Sequence, residues 1–170
     1  MAKVKEEFNY IPEIKNALEY LASHHIEVGV FGEEDSKLLM IARVQEYGVE
    51  ITVTEKMRNY LHSQGLHLRD ETETINIPER SFVRAGFDAN RKKFQEKGEE
   101  LVKQAIALEI TPQAALEALG LEIQTSLQEY LTNISNPPNS SFTVKQKGSS
   151  NPLIDTGQLR SSITYKIVSS

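Results

Sequence analysis

The stretch from Asn151 to Val168 constrains the fold most, because it combines a turn, a helix start and a strand within eighteen residues. Pro152 ends the preceding segment, since proline has no backbone N–H to continue a helix or a ladder. Asp155 and Gln158 have the three-residue spacing of a capping box, in which two side chains bond the exposed N–H groups of a first helical turn. The sequence therefore predicts a short helix that Asp155 caps.

The end of the same stretch predicts a strand over residues 162–168. Its apolar and aromatic positions alternate with their neighbours along the chain, and they are Ile163, Tyr165 and Ile167. This period of two is typical of a β-strand. Because a C-terminal strand must pair with a strand from earlier in the chain, the N-terminal half has to supply its neighbour. Residues 25–31 alternate in the same way and are the predicted partner.

The remaining elements follow from periodicity and from Gly and Pro positions. Helical spacing of apolar residues predicts the helices near 12–23, 36–47, 82–108 and 112–134. Gly48 is the predicted end of the second of these, and Thr111 with Pro112 is a good cap and first position for the fourth. Alternation predicts the further strands 49–53 and 142–146.

These elements predict an α+β fold, with a small, mainly antiparallel sheet of about four strands packed against two long helices. The strands are 25–31, 49–53, 142–146 and 162–168, and the helices are those near 82–108 and 112–134. A chain of 170 residues suits a single domain, 1–170. Weak signals at 54–76 predict an insertion or a flexible connection, and 136–151 is a predicted loop.

Composition and charge narrow the function classes. The chain has no Cys, which excludes thiol catalysis and disulfides. With 19 basic and 24 acidic residues the net charge is −5, so no global field favours nucleic acid, and we expect no specific nucleic-acid partner. The basic cluster Arg91–Lys93 precedes Glu96, Glu99 and Glu100 and is typical of a solvated helix face. We also expect no membrane partner and no signal peptide, because no apolar run approaches about 18 residues.

Candidate catalytic and metal-binding groups do not form a recognisable set. Neighbouring side chains of His24 and His25 point apart, and His62 and His67 have the wrong spacing for one helical face. The acidic segment 70–73 lacks the pattern of a calcium loop. The serines considered as nucleophiles have no nearby His with an acidic partner, and they are Ser81, Ser161 and Ser162. We therefore predict no catalytic residues, no metal site and no cofactor.

Three segments, in this order, resemble motifs of one family. They are Ala42-Arg-Val-Gln-Glu-Tyr-Gly48, Ile77-Pro-Glu-Arg-Ser-Phe-Val-Arg84 and Leu153-Ile-Asp-Thr-Gly-Gln-Leu-Arg-Ser-Ser-Ile163. Together they are similar to the tail-completion and virion-morphogenesis proteins of tailed bacteriophages and prophages, and the resemblance spans roughly residues 26–168. Ser81 stands where that family often has proline, and the connection 49–76 is longer than in many members.

The resemblance implies a small α+β minor tail or neck protein that acts in tail completion or head–tail joining. It implies self-association in a ring, and as partners the major tail (tube) protein and a head–tail connector or head-closure protein. The location it implies is the virion, with assembly in the bacterial host cytoplasm. The protein would then be structural and not an enzyme.

The residues themselves allow the same interpretation. Arg80 and Arg84 flank Phe82, and aromatic and arginine side chains are enriched at protein interfaces. With Tyr47 they are the predicted protein-interface residues, although Phe82 could equally be an ordinary core residue. Two other function classes remain open at this point, a hydrolase or nuclease with a dispersed active site and a small regulatory binding module. The genomic neighbourhood would separate them from a virion protein.

Overall fold

The computed structural model describes residues 9–32, 35–148 and 151–170, and it shows an α+β protein, as predicted. Seven helices and four strands lie within these described residues. In chain order they are α1 (Ile11–Ser23), β1 (His24–Val30), α2 (Ser36–Tyr47), β2 (Val49–Thr52), α3 (Glu55–Ser63), β3 (Thr74–Ile77), α4 (Arg84–Ile106), α5 (Pro112–Asn133), α6 (Ser141–Lys147), α7 (Gln158–Ser161) and β4 (Ile163–Ser169).

The four strands form two antiparallel sheets of two strands each, so the prediction of one sheet of about four strands packed against two long helices is wrong. β1 pairs with β4, which confirms the predicted partner of the C-terminal strand. β2 pairs with β3 in a register that runs from Val49↔Ile77 to Thr52↔Thr74. Residues 49–53 therefore use a partner that follows them closely in the chain, and Pro78 ends that ladder because it has no N–H to donate.

Residues 142–146 are helical, so the strand predicted there is wrong. They belong to α6, which starts after Ser140 and ends before Gly148. The Ser140 hydroxyl accepts a hydrogen bond from the Thr143 N–H at 3.1 Å, and Gly148 has the left-handed conformation of a helix C-terminus. Two well-formed ends favour the helix over a strand that rests on two apolar positions, Phe142 and Val144. α6 lies within the stretch 136–151 that we predicted as a loop.

The short helix before β4 is present, but its predicted cap is wrong. Gly157 precedes α7 and has φ of +81°, and no side chain caps this helix. Asp155 lies two residues too early for the role that we expected of it. Two of the longer helices have side-chain caps, of which Thr111 is the one that we predicted. Asp35 accepts from the N–H groups of Lys37 and Leu38 at the start of α2, and Thr111 accepts from Ala114 at the start of α5.

The segment 54–76 is organised by one arginine. It contains α3 and most of β3, and the Arg58 guanidinium binds the turn between them. Its Nη1 donates to the carbonyl oxygen of Arg69 and its Nη2 to that of Thr72, each at 2.7 Å. A single side chain thus adds two hydrogen-bond donors to a turn in which the Thr72 N–H also donates to the Arg69 oxygen, at 3.0 Å.

The described residues divide into two compact units. Unit 1 contains the described residues up to Val28, together with Asn90–Thr125 and Tyr165–Ser170. Its core includes Leu101, Ala105 and Ala115, against which Leu21, Ile110 and Leu119 pack. Unit 2 contains the described residues of Gly29–Ala89 and Ser126–Thr164, and its most buried side chains are Phe82, Leu127, Leu131 and Ile163. The single domain expected from chain length stays a prediction.

None of the helices in the described part of the chain combines the length and the apolar character needed to cross a membrane.

Candidate protein-contact site

The end of α2 and the segment 77–84 lie against each other in unit 2. The Arg80 N–H donates to the Gln45 carbonyl oxygen at 2.7 Å. Gly48 has φ of +67° and ψ of 169°, a conformation open essentially only to glycine. A Cβ on Gly48 would lie 2.8 Å from the Glu79 nitrogen and 2.9 Å from the Ile77 oxygen. The glycine that ends α2 is therefore also what lets the two segments approach closely.

Glu46 is the centre of this contact, although it is a carboxylate that is only 5% exposed. One of its oxygens, Oε2, accepts from the N–H groups of Phe82 at 2.8 Å and Val83 at 2.9 Å. The other, Oε1, accepts from the Arg84 N–H at 3.1 Å and from the Ser81 hydroxyl at 2.7 Å. These amides precede or begin α4, where helix N–H groups have no partner within the helix. Glu46 thus caps α4 from a different helix.

The hydrogen bonds also determine the charge state of Glu46. Burial alone would raise the pKa of this carboxyl group. The bonds from the Val83 N–H, the Ser81 hydroxyl and the N–H groups of Arg84 and Phe82 outweigh burial and hold the pKa of Glu46 below its ordinary value. The positive end of the α4 dipole favours the same charge. Glu46 is therefore a stable buried anion.

Arg84 is the cation that faces this anion. Its Nε donates to Glu46 Oε1 at 3.0 Å, and its Nη2 donates to the Glu46 carbonyl oxygen at 2.9 Å and to Glu79 Oε1 at 2.7 Å. The bond to Glu46 raises the pKa of Arg84, and Glu79 adds to that effect. The guanidinium carbon lies 4.5 Å from the centre of the Tyr47 ring, a cation–π contact. The result is a fixed arginine–tyrosine pair at the surface.

Arg80 has a different environment four residues earlier. It is 6% exposed, and its bonds are to neutral acceptors: the Pro137 oxygen at 2.7 Å, the Pro138 oxygen at 3.2 Å and Gln45 Oε1 at 3.0 Å. Burial lowers the pKa of Arg80. Its planar fork suits several carbonyl groups at once. Arg80 therefore joins the end of α2 to the segment 137–139.

The third segment of the family resemblance also reaches α2. The helix α7 packs against α2, and a pocket of about 200 Å³ is lined by α2 residues and by residues 152–159. Lys147 lies at this pocket and donates to the Pro152 oxygen at 3.2 Å. Burial lowers the pKa of Lys147, while nearby Asp155 raises it. All three resembling segments therefore meet at one helix within unit 2.

The structure divides the four predicted interface residues into two pairs. Tyr47 is 60% exposed and the Arg84 side chain is 51% exposed, so both are accessible to another protein. Phe82 is 1% exposed, in keeping with the core alternative, and Arg80 is also buried. Sequence reasoning missed Glu46. A signal was present, because Glu46 lies four residues after Ala42 and seven after Leu39, on the buried side of α2.

Other polar groupings give weaker sites. The chain turns at Gly65 and brings the His62 and His67 rings together edge to face, with centroids 4.3 Å apart. Within the described residues, however, no three His, Asp or Glu side chains are placed to hold a metal ion.

One group of described residues, Ser170, His25 and Glu27, contains the side-chain types of a serine–histidine–acid catalytic set, but it is exposed to solvent. Ser170 Oγ lies 3.2 Å from His25 Nδ1, and His25 Nε2 lies 3.7 Å from Glu27, which is too long for a hydrogen bond. The side chains of His25 and Glu27 are both half exposed.

Comparison of the chain with protein-family models, with curated proteins and with solved structures returned no match.

Proposed function

We propose that this chain is a structural virion assembly protein of a tailed phage or prophage, which acts in tail completion or head–tail joining at the neck by assembling into a ring. The observation that carries the proposal is the meeting of the three family-like segments at α2. Ala42–Gly48 contains the carboxylate that caps α4, Ile77–Arg84 supplies the capped amides, and Leu153–Ile163 contains the helix that packs on α2. Motifs that are separate in sequence thus build one structural unit.

In this proposal, the buried and the exposed residues of the three segments have different tasks. Glu46, Arg80 and Phe82 form the support, since each is less than a tenth exposed. Tyr47 and Arg84 form the contact. Four polar and aromatic contacts already hold the Arg84 guanidinium, so binding costs little of its side-chain freedom. Tyrosine and arginine are also the residue types that dominate binding energy at interfaces.

A ring requires that one patch of the protein meet a different patch on the next copy, and such a contact closes only if its geometry is right. The partners we propose are therefore further copies of this chain, the major tail tube protein and the head–tail connector or head-closure protein. A purified subunit can remain monomeric until one of these presents a template. The protein has a structural role in this proposal and catalyses no reaction.

The test replaces Tyr47 by Ala in the phage or prophage, with Tyr60→Ala as the matched control. Tyr60 is an exposed helical tyrosine of similar accessibility, 63% against 60%. We expect Tyr47→Ala to reduce infectious particles by at least about tenfold, as for the loss of an interface anchor, and Tyr60→Ala to leave them unchanged. Circular dichroism and thermal unfolding of both purified variants establish that they fold.

Two results contradict the proposal at different levels. If Tyr47→Ala folds and particles form normally, Tyr47 is not a contact residue. If deletion of the whole gene leaves infectious particles unchanged, the proposed role in virion assembly is wrong.

A further inference from the structure

We infer that the exposed side of α2 in one copy docks into an acidic, largely apolar hollow on unit 1 of the next copy. This inference rests on the proposed ring function and specifies the two surfaces that form the ring contact. We call the first surface the α2 stripe, which comprises Ser36, Met40, Arg43 and Tyr47. We call the second the acidic hollow, which is lined by α1 and by the turn between α4 and α5.

The α2 stripe is one continuous face of a helix. Its members stand at positions i, i+4, i+7 and i+11, and all are exposed. Met40 is 56% exposed and Tyr47 60%, which are large values for side chains of this size and character. Methionine, tyrosine and arginine are enriched in protein interfaces. The stripe therefore has the composition of a contact surface, and its side chains are exposed among the described residues.

The charge of the stripe is positive. Arg43 forms no hydrogen bond or ion pair with any residue that the structure describes, and Lys37 beside it forms no ion pair there. Arg84, stacked on Tyr47, adds a third cation, although Glu79 and Glu46 offset it locally. Several lysines elsewhere on the described surface are already paired with glutamates, among them Lys15, Lys92, Lys93 and Lys97. Arg43 and Lys37 thus have no carboxylate partner among the residues that the structure describes.

The acidic hollow has the opposite character. It has a volume of about 540 Å³, and its apolar lining includes Ala17, Leu108 and Ile110. Of the described residues that line it, Glu13 and Glu109 are charged and none is a cation. Neither carboxylate forms an ion pair within the described ranges. Leu108 is 39% exposed and has φ of +60°, a conformation that is uncommon for a leucine. The hollow therefore offers apolar space with two uncompensated carboxylates.

The two surfaces complement each other in charge, and both carry apolar side chains. The Met40 and Tyr47 side chains supply the apolar volume that the hollow can accept, and Arg43 with Lys37 supplies cations for Glu13 and Glu109. The stripe belongs to unit 2 and the hollow to unit 1, so the contact joins two different patches. A contact of this kind propagates from copy to copy and generates a ring or a filament, whereas a self-complementary patch stops at a dimer.

Site-specific cross-linking tests the contact. Because the chain has no native Cys, only the introduced thiols react. The full chain carries Ser36→Cys on the stripe and Gln113→Cys at the hollow and is treated with a short bismaleimide. The control carries Ser36→Cys with Gln95→Cys. Gln95 and Gln113 are both exposed helical glutamines that donate to a glutamate four residues later, at 3.0 Å and 2.8 Å. We expect a ladder of covalent oligomers from the first variant and no ladder from the control.

Charge reversal in the same cross-linking background gives the second readout. Arg43→Glu, or Glu13→Lys with Glu109→Lys, should each lower the ladder yield by about tenfold through like-charge repulsion. All three substitutions together should restore it. Mixing the two singly reversed proteins should also restore it, because each then faces an opposite charge.

The reactions are run on the purified protein at its highest soluble concentration and on assembled particles, so that a template-dependent ring is also sampled. If covalent oligomers form neither in the purified protein nor in the particles, the inference is wrong. It is also wrong if they form but charge reversal does not lower their yield. If deletion of the gene abolishes particle assembly but no ladder forms, the proposed function stands and the docking of α2 into the hollow is wrong. If the α2 stripe cross-links to another virion protein and no covalent oligomers of this chain form, the stripe does not bind a second copy of this chain and the inference is also wrong.

Discussion

Arg80 and Arg84 are four residues apart in the same segment, and their environments are opposite. Arg80 is buried and bonds only neutral acceptors, which belong to Gln45 and to residues 137–139. Arg84 is half exposed and is bound by the two carboxylates of Glu46 and Glu79. One arginine fastens parts of unit 2 to each other, and the other presents a fixed cation to solvent.

The difference shows that residue type does not determine role within a motif. An arginine suits both tasks because its planar donors can serve carbonyl oxygens or carboxylates. What separates the two is the acceptor that the fold brings to each. For Arg84 the acceptor is a buried acid from α2, and for Arg80 it is the backbone beyond α5. Three measurements test whether the two arginines have these different roles, and the effect that we expect decreases from the first to the third.

Removal of Glu46 should have the largest effect, because it abolishes the acceptor on the Arg84 side. Glu46→Ala leaves the amides of Phe82, Val83 and Arg84 without their partner. We expect the free energy of unfolding to fall by about 3–5 kcal/mol, because three N–H groups lose their acceptor and each unsatisfied buried donor costs about 1–3 kcal/mol. Urea denaturation measures it. Glu79→Ala removes the exposed carboxylate on the same arginine and should cost much less, so equal losses would contradict a central role for Glu46.

Replacement of Arg80 should have the next largest effect. Arg80→Met keeps an unbranched apolar stem but leaves the Pro137 and Pro138 oxygens and Gln45 Oε1 without their donor. The cost of unsatisfied acceptors is about 1–3 kcal/mol in the free energy of unfolding. Arg84→Met is the matched variant and should destabilise less, because its side chain is half exposed. Thermal unfolding of the two variants compares them directly, and a greater loss for Arg84→Met would invert the assignment.

Acidification should have the smallest effect on stability, and it should act through Glu46, which binds Arg84, and not through the acceptors of Arg80. The pKa of Glu46 is lower in the folded protein than in the unfolded chain, so its contribution to stability is complete above the unfolded pKa of about 4.3. The contribution is lost as the pH falls below that value toward the folded pKa. The neutral acceptors of Arg80 do not titrate in this range. We expect Glu46→Gln to flatten the melting temperature between pH 5 and about pH 3 relative to the parent. A parallel decline in both proteins would show that other carboxyl groups dominate.

Much of the secondary structure could be predicted because its signals are local. The periodicity around α1, α2, α4 and α5, and the alternation at β1, β2 and β4, arise from the burial of one side of each element. The strand predicted at 142–146 failed because Phe142 and Val144 alternate by chance within a seven-residue helix. The prediction of a single sheet was wrong because a strand can pair with any of several other strands, and its own sequence does not show which. Ile75 and Ile77 carried an alternating signal, but nothing local showed that they would pair with β2.

The candidate site was predicted only in part, for the same reason. Tyr47 and Arg84, which we predicted together as interface residues, are in contact, and their role in an interface stays a prediction. The separate task of Arg80 depends on residues 137–139, more than fifty positions away, and the cap provided by Glu46 spans 36–38 positions. Side-chain partners at such separations leave no periodic trace in a sequence. A glutamate on the buried side of α2 was the one available signal.

The cap by Glu46 also affects how the protein reaches its folded state. The Ser81 hydroxyl, which is local, accepts from the Ala85 N–H at 3.1 Å, but the N–H groups of Phe82, Val83 and Arg84 obtain their acceptor only when α2 has arrived. The start of α4 is therefore made by a long-range encounter, and such encounters slow folding because a loop must close first. Amide hydrogen exchange at Phe82, Val83 and Arg84 consequently reports the separation of two distant segments, and not the fraying of one helix end.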